Sequence, residues 1–346
     1  MDIQKKLYTG VETGPIRPPS EAGSLLVRVT RNCPWNQCRF CGLFKGEKFS
    51  VRPVEHVLKD IDYMKEHYDR TQVRSVFLQD ANSLVMKPDD LAEILRYIKA
   101  SFPHVERITS YARSHTVARI SDENLKMLAG AGLNRIHIGM ETASDTVLQL
   151  VQKGVDKATH IAAGQKVKRA GMELSEYYMP GLGGREYLEE SALETADAMN
   201  HINPDFIRIR SLAIPDDVPL SEDYQAGIFT RTNDTAMVEE LLLFIENLKG
   251  ITSTVKSDHI LNLLPEVEGL LPQDQDKMLD ALKWYLDLSE EEQILFRIGR
   301  RTGVMNDSRD LLHPAKRMRV IRIVRENNIS TTNIDEVTDG LMKRFI

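Results

Sequence analysis

The three cysteines of this chain are suited to bind a metal, because all of them lie within nine positions of a 346-residue sequence. They are Cys33, Cys38 and Cys41. Thiolates at such spacing share a tight loop and converge on one soft metal centre, either zinc or iron–sulfur. A structural zinc site closes its shell with a fourth Cys or His, whereas a 4Fe-4S cluster held by three thiolates keeps one iron open. The sequence favours the cluster, with zinc and unligated thiols as alternatives.

The residues around the cysteines add to this pattern. A β-rich run over residues 24–30 leads into them, and the aromatic Phe40 directly precedes the third cysteine. The segment resembles the radical S-adenosylmethionine (radical SAM) superfamily, with a motif widened to four residues between Cys33 and Cys38. The resemblance implies a 4Fe-4S cluster on the three cysteines, S-adenosylmethionine (SAM) as cofactor, and Phe40 near its adenine.

The first two thirds of the chain alternate β-rich runs with helical patterns, which is typical of βαβ units. Strands are predicted at residues 24–30, 73–79, 107–111, 135–140, 174–179 and 206–213, and helices at 54–67, 88–102, 123–131, 144–152, 156–170 and 186–201. This predicts an α/β fold, a partial (β/α)6 TIM-like barrel, which is the core that the resemblance implies.

From about Leu220 onward the patterns are helical, at residues 235–249, 275–286, 289–298 and 314–327. The predicted organisation is an N-terminal lead-in over residues 1–22, a core over 23–219 and a mainly helical C-terminal extension over 220–346. Such an extension on the open side of a barrel is a usual place for substrate recognition.

Polar residues follow the second and third predicted strands, where barrels place their functional groups. They are Asp80 and Asn82, then Ser110 and Arg113. The resemblance implies that Asp80 or Asn82 holds the methionine amino group of the cofactor. Arg113 is a candidate to grip the methionine carboxylate in a bidentate fork. A polar turn that caps a helix and a solvated loop arginine are the alternatives.

Further candidates follow or lie in the later strands. Glu141 closes an apolar strand, so it must face the barrel mouth or have a partner, because burying an unpaired carboxylate is costly. Residues 139–142, Gly-Met-Glu-Thr, resemble a motif of the coproporphyrinogen-oxidase-like and tRNA-acetylating group of the superfamily. This resemblance implies that Glu141 contacts the cofactor, and a helix-dipole role is the alternative. Gly181 lies in a glycine-rich turn where backbone amides can approach a ligand. Arg208 and Arg210 share one face of the sixth strand, which lines an anion-binding cavity or protects an open sheet edge.

The C-terminal extension contains two further patterns. His259 lies in a segment, residues 257–262, that combines an acid, a base and an amide. It is a weak candidate for a general acid or base, and a structural histidine in a capped helix is the alternative. Residues 313–325 include six basic side chains. They point to an anionic substrate or RNA, or else to a solvated helix face.

The composition fits an enzyme of the cytoplasm. There are 45 basic and 51 acidic residues, which argues against general electrostatic capture of nucleic acid and leaves a local basic patch open. Residues 1–6 do not resemble a signal peptide, and no apolar run has membrane-spanning length. Cysteines outside disulfides fit a reducing compartment.

The sequence also limits the partners and the chemistry. A radical SAM enzyme implies an electron donor such as flavodoxin or ferredoxin. The absence of other cysteines disfavours reactions that need auxiliary clusters, such as sulfur insertion. The substrate, a small molecule or a macromolecule, cannot be read from the sequence. A non-catalytic iron–sulfur electron-transfer protein and a zinc-stabilised α/β binding protein are the alternative functions.

Overall fold

Strands and helices alternate over the first part of the chain, in a computed structural model that describes residues 8–345. Residues 1–6, where no signal peptide is predicted, lie outside the described residues. The first elements are β1 (Leu25–Arg28), β2 (Thr30–Arg31), β3 (Ser50–Val51), α1 (Val54–His67), β4 (Ser75–Gln79), α2 (Pro88–Ser101), β5 (Arg107–Ala112), α3 (Ser114–Arg119), α4 (Asp122–Ala131) and β6 (Leu133–Glu141). The next are α5 (Asp145–Leu150), α6 (Lys157–Arg169), β7 (Glu173–Tyr178), α7 (Leu188–Ile202) and β8 (Phe206–Ile209).

Helices dominate the remainder, with two short strands among them. The elements are α8 (Pro219–Gln225), α9 (Asp234–Glu246), β9 (Thr254–Lys256), β10 (Gly269–Leu270), α10 (Gln275–Leu286), α11 (Glu290–Arg301), α12 (Pro314–Glu326) and α13 (Ile334–Met342). Within residues 8–345, no helix is both long and apolar enough to cross a membrane.

The described chain divides into two units. The first contains residues 8–37, 43–140 and 158–176, and the second contains residues 38–42, 141–157 and 177–345. In the first unit the strand order is β1-β4-β5-β6-β7, and the pairs β1–β4, β4–β5 and β5–β6 are parallel. The last two residues of β7 belong to the second unit, where the order is β7-β8-β9-β10. There β8 and β9 are parallel, while β9 and β10 are antiparallel.

The predicted fold class is confirmed. A mostly parallel sheet with flanking helices is the architecture of partial TIM-like barrels. Central strands such as β4 are apolar because both faces of a parallel sheet are covered, and Val76, Phe77 and Leu78 are fully buried. In α1 the buried face recurs at Val57, Ile61 and Met64, the spacing of an amphipathic helix. The proposed domain boundaries at residues 22 and 219 stay a prediction.

Local signals located several helices correctly. The side chain of Ser121, directly before α4, accepts a hydrogen bond from the Asn124 backbone N–H at 3.2 Å, which satisfies one of the donors left open at a helix start. Pro88 begins α2, and Asp89 and Asp90 lie in its first turn. Negative charge there is favourable because of the helix dipole.

Two short strands lie within the mainly helical extension, and the sequence patterns do not indicate them. β9 has three residues and β10 has two, too few to show an alternation in sequence. β9 forms because Phe206, Ile207 and Arg208 of β8 pair with it in register. The same pairing shows that β8 is not an open edge of the sheet. The interpretation of Arg208 and Arg210 as residues that protect an open edge is therefore wrong.

Candidate functional site

Asp80 fixes the start of the cysteine segment within the first unit. Its side chain is fully buried after β4, and its φ of 70° lies in the left-handed region. Oδ2 accepts hydrogen bonds from the Asn32 backbone N–H and from Arg28 Nε, both at 2.8 Å. Because Asn32 directly precedes Cys33, these bonds position the first cysteine. Oδ1 is buried without a hydrogen-bond partner among the described residues.

An ionic network surrounds this anchor. Arg52 is 2% exposed and donates from Nη1 to Asp60 Oδ2 at 2.6 Å and to the Arg28 carbonyl at 2.8 Å. Its Nε lies 3.2 Å from Glu12 Oε1, and Glu12 also accepts from Arg31 at 2.6 Å. Burial acts to raise the pKa of Glu12, but the Arg31 hydrogen bond and the Arg52 charge outweigh it, so that pKa is lowered.

Sequence reasoning missed this network. The sequence nevertheless contains a signal for it. Arg28 lies in a β-rich run that is otherwise mostly apolar, and Arg31 directly follows that run. A charged side chain in such a position needs a partner when it is buried. The partners Glu12 and Asp60 come from distant parts of the chain, so the sequence could indicate that partners exist without identifying them.

The other predicted residues of the first unit have defined contacts. Asn82 donates from Nδ2 to Thr116 Oγ1 at 2.8 Å, while its Oδ1 is buried without a partner among residues 8–345. Ser110 donates to the Tyr111 carbonyl at 2.8 Å, so its proton is used locally. The guanidinium of Arg113 lies 5.0 Å from the ring centroid of Trp35, in the cysteine segment. This cation–π contact brings Arg113 to the segment that contains Cys33.

In the second unit, Glu141 and Phe40 meet at the same lysine. Lys153 Nζ lies 3.2 Å from Glu141 Oε1 and 5.5 Å from the ring centroid of Phe40. Glu141 has a φ of 68° at the end of β6, and its Oε2 is buried without a partner in the described part of the chain. Sequence reasoning required a partner for Glu141 but did not identify Lys153. The three side chains combine a carboxylate, an ammonium and an aromatic ring.

The remainder of the cysteine segment is attached to the second unit around Arg39. Its guanidinium forms two hydrogen bonds with the carboxylate of Asp223, both at 2.6 Å. Its backbone N–H donates to the Val151 carbonyl at 2.9 Å. Phe40 packs against an apolar cluster that includes Val151 and Val218. These contacts fix the backbone between Cys38 and Cys41.

The three cysteines are partly exposed, and none is in a disulfide. Cys33 Sγ accepts a hydrogen bond from the Asn36 backbone N–H at 3.4 Å, and such bonds to sulfur tune iron–sulfur clusters. The Cys41 N–H donates to the Cys38 carbonyl at 3.4 Å. Within residues 8–345, no three Cys, His, Asp or Glu side chains are grouped as ligands of one metal ion. The donor chemistry of three thiols on one short segment fits an iron–sulfur cluster.

Gly181 already uses its N–H within the protein. It donates to Glu240 Oε2 at 2.7 Å, and Tyr178 donates to Glu240 Oε1 at 2.8 Å. The φ of Gly181 is 93°, and an added Cβ would lie 2.8 Å from Thr232 Oγ1, so this position requires glycine. Burial raises the pKa of Glu240 to about 7, although the two hydrogen bonds act to lower it.

His259 lies in a turn that follows β9, so the interpretation as a capped helix is wrong. Its Nδ1 accepts from the Leu261 backbone N–H at 3.3 Å. Burial and the nearby charge of Arg210 lower its pKa to about 4, while Asp258 acts in the opposite direction. Its imidazole is therefore neutral near pH 7. Arg208 is buried and paired with Asp258, whereas Arg210 is exposed.

The helical extension holds this turn in place. The side chains of Arg300 and Arg301 donate to three consecutive carbonyl groups at 2.6 to 3.2 Å, those of Leu261, Asn262 and Leu263. The side chain of Asn262 then joins the turn to the end of β8, through the Ser211 N–H at 3.0 Å and the Ile209 carbonyl at 2.8 Å. The position of His259 therefore depends on α11.

Comparison with known proteins identifies the class to which this fold and these residues belong. Residues 27–197 match the model of the radical SAM superfamily. The match includes the three cysteines, the ends of β4, β5 and β6, and the turn at Gly181. The chain belongs to the radical SAM superfamily, a superfamily of enzymes, and the predicted family is confirmed.

Individual relatives are distant. A heme chaperone of Buchnera aphidicola is 23% identical over 194 residues, which cover 54% of this chain and 50% of that protein. A tRNA-2-methylthio-N(6)-dimethylallyladenosine synthase of Marinomonas is 26% identical over 198 residues, or 54% of this chain and 41% of that protein. The matches thus span half or less of these relatives.

A solved structure supports the same fold. Coproporphyrinogen III oxidase of Escherichia coli, described as a radical SAM enzyme, superposes with a TM-score of 0.51 at 16% identity. The superposition covers 65% of this chain and 52% of that one. At this level of identity the similarity concerns the fold alone.

Proposed function

We propose that this chain is a radical SAM enzyme that holds a 4Fe-4S cluster on Cys33, Cys38 and Cys41 and binds SAM at the open iron. When bound, the reduced cluster supplies one electron to SAM, whose cleavage gives methionine and a 5′-deoxyadenosyl radical that takes hydrogen from a substrate. The observation that carries the proposal is the three-cysteine segment after β1 in a chain that matches the superfamily. The substrate is left open.

The contacts of the second unit support a place for SAM. Glu141 keeps one buried carboxylate oxygen without a partner among the described residues, which suits the cationic amino group of the methionine moiety. Lys153 suits its carboxylate, and Phe40 suits the adenine ring. Charge-assisted hydrogen bonds are stronger than neutral ones, so Glu141 and Lys153 would contribute most to orientation. Gly181 and Arg210 remain candidates for contacts near the same cofactor.

Several predicted residues of the first unit keep their proposed roles. Asp80 holds Asn32 and thereby Cys33, so we assign it mainly to positioning the cluster. Asn82 keeps an acceptor oxygen, and Arg113 is held over Trp35, so both are candidates for contacts with SAM. Ser110 is buried in β5, two residues before the end of the strand that precedes Arg113. His259, neutral near pH 7, would accept a proton rather than donate one.

The proposal includes a reducing environment and an electron donor. The cluster must receive an electron before each cleavage, so a small redox protein such as flavodoxin or ferredoxin is the expected partner. An oxygen-sensitive cluster is compatible with the cytoplasm, which is the proposed location.

The proposal can be tested by anaerobic reconstitution of the chain with iron and sulfide. We expect about four irons and four sulfides per chain, and 5′-deoxyadenosine after addition of reductant and SAM. Replacement of each cysteine by serine should abolish both the complete cluster and the formation of 5′-deoxyadenosine. One zinc and no acid-labile sulfide would favour a zinc-stabilised binding protein. A complete cluster that neither binds nor cleaves SAM would favour an electron-transfer protein.

A further inference from the structure

The outer surface of α12 presents a row of arginines. Arg319, Arg322 and Arg325 are exposed and recur every three residues. Because residues three apart lie on the same side of a helix, the three guanidinium groups share one surface, which we call the α12 arginine face. Met318 also lies on it and is 62% exposed. The inner side of the helix contains the buried Val320.

The cations of the α12 arginine face differ from the others of the same helix. Lys316 pairs with Asp310 at 2.6 Å and Arg317 pairs with Glu292 at 3.4 Å. Among residues 8–345, no ion pair or hydrogen bond involves the side chains of Arg319, Arg322 and Arg325. Three neighbouring positive charges therefore repel one another with no ion-pair partner among the described residues, in a chain with a net charge of −6. An external polyanion would remove this repulsion.

The side chains on this face favour one type of polyanion. Arginine presents a planar fork of donors that matches phosphate oxygens. A membrane-bound helix needs a broad apolar face, but this face offers Met318 and, just before the helix, Leu312. A protein interface usually combines arginine anchors with buried aromatic ones, and α12 contains no aromatic residue. Phosphate groups in a row fit these features best.

We propose that the α12 arginine face binds the phosphate backbone of a nucleic acid. In a helix that rises 1.5 Å per residue, the first and third arginines are about 9 Å apart along the axis, so long flexible side chains can contact successive phosphates. Contacts of this kind position a nucleic acid without reading its sequence. The proposal goes beyond the proposed radical chemistry and does not rest on it.

Salt-dependent binding tests the proposal. The full-length, cluster-loaded chain is titrated, without SAM, against a labelled single-stranded RNA of mixed sequence and against the matching RNA and DNA duplexes. The R319Q/R322Q/R325Q variant removes three phosphate contacts. The slope of log K against log salt should then fall in magnitude by about 2 for the single strand and by about 3 for a DNA duplex. Circular dichroism confirms that the variant is folded.

A matched variant controls for net charge. K126Q/K249Q/K277Q removes three exposed cations located elsewhere on the chain, so its slope should stay close to that of the unaltered protein. Equal loss of binding in both variants would overturn the proposal, because the effect would then be general charge. So would an unchanged slope in the arginine variant. Preferential binding to polyglutamate or to vesicles with anionic lipid, lost in the same variant, would also overturn it in favour of an acidic protein or a membrane.

Discussion

At the scale of single residues, the most informative group is Glu141. It ends β6 with a left-handed backbone, and only one of its carboxylate oxygens contacts Lys153. A carboxylate with one buried, unsatisfied oxygen is costly for the free protein. That cost is reduced if a cationic ligand completes the site, and the sulfonium and amino groups of SAM supply such a charge. The arrangement is therefore consistent with the proposed role of Glu141 in binding SAM.

Replacing Glu141 with Gln should weaken SAM binding by roughly 10- to 100-fold, since a hydrogen bond to a charged group contributes about 1.5 to 3 kcal/mol. Equilibrium dialysis of SAM against the cluster-loaded protein measures this without turnover. Glu246→Gln is the matched control, because Glu246 forms an exposed pair with Lys283 at 3.4 Å. Equal affinities for Glu141→Gln and the control would refute the assignment.

His259 should titrate far below an ordinary histidine. Its pKa is about 4 against a usual 6.5 because of burial and Arg210. The native state therefore binds fewer protons than the unfolded state between these values, and His259 makes the protein less stable as the pH falls through that window. Arg210→Gln should raise the pKa, and Asp258→Asn should lower it further. Ring resonances followed by NMR would contradict this account if the unaltered His259 titrated near its usual value.

At the scale of elements, the cysteine segment depends on the ion pair between Arg52 and Asp60. Both side chains are almost completely buried, and Arg52 also supports the end of β1 through the Arg28 carbonyl. Removal of one partner from a buried pair leaves an uncompensated charge. The network therefore links α1, β1 and the start of the cysteine segment.

Asp60→Ala should lower the free energy of unfolding by about 3 to 5 kcal/mol, as measured by urea denaturation. The comparison variant is Asp62→Ala, two residues away on α1, whose pair with Lys65 is far more accessible to solvent. Screening by solvent makes such pairs weak, so Asp62→Ala should lower the free energy of unfolding much less than Asp60→Ala. Similar losses in the two variants would show that burial of the Arg52 pair is not the cause.

Elements with strong periodicity could be predicted from the sequence, whereas elements formed by pairing could not. The predicted helix over residues 54–67 coincides with α1, because its apolar spacing and flanking residues specify it. β9 is specified by β8, which lies about fifty residues earlier. The candidate site follows the same rule. The places of Asp80 and Glu141 after strands predict them as candidates. Their partners Asn32 and Lys153 could not be assigned, because contacts between distant parts of the chain select them.

At the scale of the whole molecule, Glu240 links stability to pH. Its pKa is about 7 in the folded protein against a usual 4.5, so the native state binds more protons than the unfolded state between these values. Stability from this group is complete below about pH 4.5 and is lost as the pH rises through about 7, a loss of about 3 kcal/mol in total. Asp234, whose pKa is lowered against burial by Arg301 and Arg297, has the opposite dependence at acidic pH.

Glu240→Gln should flatten the alkaline side of the stability profile. Between about pH 6 and pH 8 the unaltered protein should lose about 1 kcal/mol of unfolding free energy through this carboxyl group. The variant should not lose this stability, because a neutral amide can accept from the Gly181 N–H and donate to the Tyr178 oxygen. Urea unfolding at the two pH values measures the difference. Parallel profiles would show that Glu240 is ionised in the native state throughout.

The central claim is that three thiolates support cleavage of SAM. The most direct measurement is the 5′-deoxyadenosine formed by anaerobically reconstituted protein with reductant and SAM, quantified by mass spectrometry beside the Cys38→Ala variant. The account predicts product above a protein-free control for the unaltered chain and none for the variant. Equal product from the variant, or none from a fully loaded unaltered chain that also fails to bind SAM, would contradict it.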